Sequence, residues 1–228
     1  MDSTSRRRNH GHLIRRPGEQ RRSLRRRPTI VIVVDDYRYR RNLDDARYWA
    51  EARTLSDLGG LTARWLEGAI DYQPAWESAR PDAETEPLVA VLALANRRGF
   101  VTHFSQPGAN PDPVRNQQRA AVSGFSAGEV IGRLEKTALG TDVVVLAYPP
   151  GGRLDGHQLP IAMLDGVACR WAGAEMSFDA IEEYYHSDCH PDAVAALRQA
   201  WQATLIDPDW GRNDLLWDCL EAALSVDD

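Results

Sequence analysis

Four side chains pose the chemical question: Glu84 and Thr85 in "ETEPLVAVLALANRRG", and Thr102 and Ser105 in "GFVTHFSQPG". Two threonines, a serine and one carboxylate can hydrogen-bond a small polar ligand. They include no strong nucleophile or base. Glu84 would suit a cationic group or a ribose diol. Thr102 and Ser105 lie three apart, so on a regular strand they point to opposite faces. They converge only if the strand bends or ends near Phe104, which Gln106-Pro107-Gly108 favours. A plainer reading also stands: Glu84 and Thr85 cap a helix, and Thr102 and Ser105 bond a strand end.

Other clusters carry less. "HSDCHPD" gathers His186, Asp188, Cys189, His190 and Asp192. Zinc takes Cys and His at short spacing, but no second pair completes a four-ligand set. The same residues read as an ordinary helix start, so no metal is expected. Phosphate-cradling glycine loops and the GxSxG nucleophile elbow are missing from the sequence. Cys169, Cys189 and Cys219 have no regular spacing, and a reduced, cytoplasmic protein is the expectation.

The chain has 228 residues, 43% of them hydrophobic, which suits one sizeable core. No apolar run reaches the length needed to cross a bilayer, and the N-terminus lacks a secretory h-region. The net charge of −6 is split. Residues 1–28 hold ten arginines against Asp2 and Glu19, and the remainder is strongly acidic. That segment reads as a disordered Arg-rich tail. It is either a solvated extension or an electrostatic arm for nucleic acid, with no aromatic interleaved for base stacking.

The elements that must position the four residues follow from periodicity. "TIVIVVDD", Thr29 to Asp36, reads as a strand. A helical pattern from Leu43 to Ile70 is expected to break at Gly59-Gly60. Asp82 is placed to cap a helix whose first turn holds Glu84 and Thr85, with Gly99 ending it. Strands are expected at Phe100–Ser105, Arg119–Phe125 and Thr141–Pro150. Further helices are expected at Ala127–Leu139, Phe178–Tyr185, Asp192–Leu205 and Asp214–Leu224. Irregular alternation without βαβ repeats predicts an α+β domain over residues 29–228, with a mixed β-sheet core surrounded by helices.

The segment "ETEPLVAVLALANRRGFVTHFSQPGANPDPV…QQRAAVSGF" resembles the C-terminal regulatory domain of eukaryotic-type methylenetetrahydrofolate reductase. There a Glu-Thr pair opens a helix and a "NRxGxLTINSQP" segment follows. The spacing from Thr85 to Thr102 matches without a gap, and "WLEGAIDYQPAW" and "DLLWDCLEAAL" extend the likeness patchily to Leu224. The chain also resembles a bacterial family with "LTARWLEG" and "SQPG…QRAAVSGF" signatures. The first resemblance implies a regulatory-type domain that binds S-adenosylmethionine or S-adenosylhomocysteine through Glu84, Thr85, Thr102 and Ser105. It implies no flavin, because the reductase's flavin belongs to a separate barrel that 80 preceding residues are too few to form. Phe104 replaces the family's Asn, and Ile161 or Ala162 stands where a further threonine is expected. Three functions follow as expectations. The first is a stand-alone, non-catalytic small-molecule-binding domain. The second is a transferase using the same ligand, with His103 or Glu84 as base. The third is a nucleic-acid or protein-partner role through residues 1–28. No membrane association is expected.

Overall fold

The computed structural model describes residues 43–74, 80–151, 157–185 and 187–225, all within one compact unit, Arg38–Asp228. The expected Arg-rich tail and the Thr29–Asp36 strand lie outside the described residues. The chain opens with α1 (Leu43–Glu51) and α2 (Leu55–Leu66). Thr54 starts α2 with a capping box: its side chain accepts from Asp57 N, and the Asp57 carboxylate accepts from Thr54 N.

The helical pattern therefore breaks at Ala52–Thr54, and not at Gly59-Gly60 as expected. Both glycines sit inside α2, and packing explains the first of them. A Cβ at Gly59 would lie 2.2 Å from the carbonyl oxygen of Asn96 in α3 (Val89–Arg97). The glycine lets two helices approach where any side chain would hold them apart. A Cβ at Gly60 would meet nothing within 4 Å. These neighbours should respond oppositely to alanine. Gly59→Ala overpacks the crossing and should cost about 1–3 kcal/mol. Gly60→Ala should gain about 0.5–1 kcal/mol by lowering the entropy lost on folding. Urea unfolding of the two variants tests this, and equal shifts would refute the packing account.

After a 3-10 turn (Glu86–Leu88) and α3 come β1 (Val101–Gln106), β2 (Ala109–Asp112), β3 (Asn116–Gln118) and β4 (Ala121–Ser126). They are followed by α4 (Gly128–Ala138), β5 (Val144–Tyr148), β6 (Leu159–Leu164) and β7 (Val167–Ala172). The chain closes with α5 (Phe178–Tyr185), α6 (Pro191–Arg198), β8 (Trp201–Ile206) and α7 (Leu215–Leu224). The α+β class holds. Its described strands form two four-stranded sheets, ordered β1-β4-β8-β5 and β2-β3-β6-β7, and the pairs are antiparallel.

The helix expected over Asp192–Leu205 is cut short at Arg198. Its second half is β8, the inner strand between β4 and β5. Leu205 pairs with Val122 and Val145 and joins the helix-packed core, while Ile206 pairs with Ala121 and Val144. Ala121, Ile206, Ile161 and Ala172, with Phe104, form the smaller apolar cluster between the two sheets. Strand β8 is thus buried on both faces. Ser123 and Thr204 share a hydrogen bond of 2.8 Å across the β4–β8 ladder, so these polar residues are tolerated inside. The larger core lies where Trp49, Leu58, Leu92, Leu134 and Leu216 of the helices meet the first sheet.

No helix among the described residues is long and apolar enough to cross a membrane.

Candidate functional site

Strand β1 carries the geometry that matters. Thr102 pairs with Gly124 and Phe104 pairs with Ser123, so two steps along β1 match one step along β4. His103 is the extra residue of a β-bulge. Beyond it Ser105 pairs with Val122, two positions from Gly124. Residues two apart on β4 share a face, so Thr102 and Ser105, three apart in sequence, share one too. The bulge, rather than a strand end, produces the convergence.

That shared face meets α2 and the turn before α3. Thr85, Thr102 and Ser105 line one crevice there, with Thr62, Trp65 and Leu92 forming its inner wall. Its cavity volume is about 20 Å3, room for one water-sized group. Thr102 is buried and tied to α3: its N–H donates to Asn96 Oδ1 at 3.0 Å, and its hydroxyl accepts from Asn96 Nδ2 at 2.7 Å. Asn96 Nδ2 also donates to the Leu92 carbonyl at 2.8 Å, which fixes the amide's orientation. The Thr102 hydroxyl keeps its own proton to donate. Among the described contacts, the Thr85 and Ser105 hydroxyls carry no hydrogen bond, and Thr85 makes no side-chain cap.

Glu84 stands elsewhere. It faces a second hollow on the other side of the turn, where Gln118 Nε2 lies 3.5 Å from its carboxylate. The acidic residue lining the crevice is Asp82. Asp82, expected from the sequence as a helix cap, is instead a lining residue, and its place directly after Pro81, at the start of the turn, is the sequence signal for it. Glu84 and Thr85 also do not occupy a helical first turn. They precede the 3-10 turn, and the N–H groups of Thr85 and Glu86 already donate to the Asp82 and Ala83 carbonyls. Pro87 falls in the first turn of the 3-10 helix, where its missing N–H costs no helical bond.

His103 reaches the crevice edge and packs its ring on Phe125, with centroids 5.2 Å apart. Burial pulls its imidazole down to about 4, so it is neutral near pH 7 and a weak base. The buried thiols are no better placed. Cys189 is pushed up to about 12 by burial, and burial raises Cys219 as well. In "HSDCHPD", His190 caps α6 by accepting from Asp192 N at 3.1 Å. His186 lies outside the described residues, and among those described no three His, Cys, Asp or Glu side chains are grouped to hold a metal ion.

A family model described as a domain of unknown function, DUF6919, matches residues 44–227. The chain belongs to this family. In this DUF6919 domain the match spans the described helices and sheets together with the crevice and the second hollow. Four hydroxyl side chains, Thr62, Thr85, Thr102 and Ser105, line the crevice with the Asp82 carboxylate and one neutral imidazole, among apolar side chains, and the Thr62 hydroxyl is committed to the Leu58 carbonyl at 2.9 Å.

Proposed function

We propose that this DUF6919 domain is a non-catalytic, regulatory-type module that binds a small polar metabolite in the cytoplasm. S-adenosylmethionine and S-adenosylhomocysteine are the first ligands to test. The bulge at His103 carries the reading, because it turns Thr102 and Ser105 toward Thr85 and leaves two hydroxyls unbonded in one crevice. The resemblance to the reductase regulatory domain supplies the adenosyl ligands. The neutral His103 and the protonated buried thiols favour binding over catalysis. Three free cysteines suit a reducing compartment. The open space admits a hydroxyl or ammonium end, with the larger part of the ligand outside it.

Thermal unfolding with each ligand tests the proposal. A ligand at a hundred times its Kd should stabilise the protein by about 2.7 kcal/mol. The informative variant is Thr85→Val with Ser105→Ala, because neither hydroxyl bonds another group among the described residues. Thr102→Val would also remove the Asn96 bond and confuse binding with stability. A rise in Tm for the wild type, lost in the double variant, is the expected result. No rise with either ligand at millimolar concentration, or a rise that survives the double substitution, would end the proposal.

A further inference from the structure

The second hollow, on the Glu84 side of the turn, has a volume of about 400 Å3, in the range of small-molecule sites. Its walls carry one group of each charge, and each is steadied by a glutamine. Gln106 is buried, and its Nε2 donates to the carbonyls of Arg119 and Ile161 at 3.0 and 2.9 Å. Those two bonds fix the amide, so Oε1 is left to accept from Arg170 Nη1 at 3.2 Å. Arg170 thereby spends one donor of its guanidinium fork. Across the groove, Gln118 Nε2 donates to the Pro107 carbonyl at 3.1 Å and sits beside Glu84. Among the described residues neither Arg170 nor Glu84 has a partner of opposite charge.

We infer that this groove binds the zwitterion of an α-amino acid, free or as the end of a larger metabolite. The ligand's carboxylate lies on Arg170 and its ammonium on Glu84. A guanidinium fork matches a carboxylate with two parallel bonds. A simple anion would gain Arg170 but face Glu84, and a simple cation would meet the reverse. A zwitterion satisfies both walls at once. Pro111, Met163 and Leu164 give the ligand's side chain an apolar surface. The inference is separate from the hydroxyl crevice: the two hollows flank one turn and share no lining residue.

Cys169 lines this groove and is exposed, whereas Cys189 and Cys219 are buried, so its alkylation reports on occupancy. The full-length protein is treated with iodoacetamide and Cys169 modification is followed by mass spectrometry. Single amino acids, their decarboxylated amines, S-adenosylhomocysteine and adenosine are each added at millimolar concentration. At least one compound with the intact zwitterion should slow alkylation, while its amine and adenosine do not. Protection by a free amino acid identifies a free ligand, and protection by S-adenosylhomocysteine alone identifies the end of a larger one. Arg170→Met should weaken protection roughly tenfold to a hundredfold, as loss of bonds to a charged group does. Glu84→Gln should weaken it too, while Thr85→Val with Ser105→Ala should leave it intact. Rates are compared with and without ligand for each variant, which removes any effect of Arg170 on the thiol itself. Protection by no zwitterion, equal protection by the amines, or protection unchanged in Arg170→Met would overturn the inference. A Tm rise with adenosine that leaves Cys169 unprotected would support the crevice alone, whereas protection of Cys169 by adenosine would count against the groove's need for a zwitterion.

Discussion

Arg212→Met should lower the stability of this domain well beyond the effect of an exposed-charge substitution, because it strips the counter-charge from the buried Asp207 carboxylate. Asp207, at the end of β8, is fully buried. Both its oxygens accept from Arg212 Nε, at 2.9 and 2.7 Å, and Oδ1 also accepts from Asp209 N at 3.0 Å. Without the guanidinium that carboxylate keeps a backbone donor but loses its counter-charge in a place water does not reach. The bond to Asp207 also raises the Arg212 pKa, so the cation persists at any ordinary pH. Arg212 Nη1 additionally touches Asp209 at 2.8 Å, but Asp209 is exposed. Asp209→Asn should therefore cost less than about 1 kcal/mol. Arg212→Met should therefore melt clearly earlier than Asp209→Asn. Similar melting of the two variants would show that the buried pair is not the anchor.

The second large effect is a pH dependence written into the bulge. His103 is held at about 4 when folded, against 6.5 for a free imidazole. Above pH 6.5 both states are neutral and the residue contributes no slope. As pH falls through 6.5 the unfolded chain binds a proton that the folded chain refuses, and stability drops. Near pH 4 the folded state also binds it, and the loss levels off at about 3 kcal/mol. His103→Phe keeps a ring against Phe125 and removes the titration. Urea unfolding at pH 7 and pH 4.5 should show the wild type losing more stability than the variant, by about 2 kcal/mol. The carboxylates titrate alike in both proteins, so parallel losses would mean that His103 is not desolvated.

Legibility in the sequence followed how each segment is buried. Helix α5 was read at its observed bounds because its apolar residues recur at helical spacing and its ends are polar. Strand β5 was visible as a β-branched run. Strand β8 was not, because Gln202 and Thr204 are buried while forming part of the ladder, which defeats any pattern based on hydropathy. Strands β6 and β7 are not among the expected elements, since most of β7 is exposed and Pro160 interrupts β6. At the site, residue types were legible and partners were not. Thr85, Thr102 and Ser105 meet in one crevice, but Glu84 is turned to the neighbouring groove. A shift of one position along a turn decides which side of it a carboxylate faces, and periodicity does not resolve that shift. Arg170 drew no attention because arginine is abundant in this chain; its role depends on Gln106, which lies 64 residues away in sequence.

The bulge also bears on how chains of this kind should be compared. The ladder closes on both sides of His103 whether or not a residue is present there, since Thr102 and Phe104 already face consecutive partners. A relative lacking that one position would keep Ser105 opposite the same neighbour. An alignment forced through β1 without a gap would then mismatch all that follows in the strand, and would report a lost serine where none had been lost.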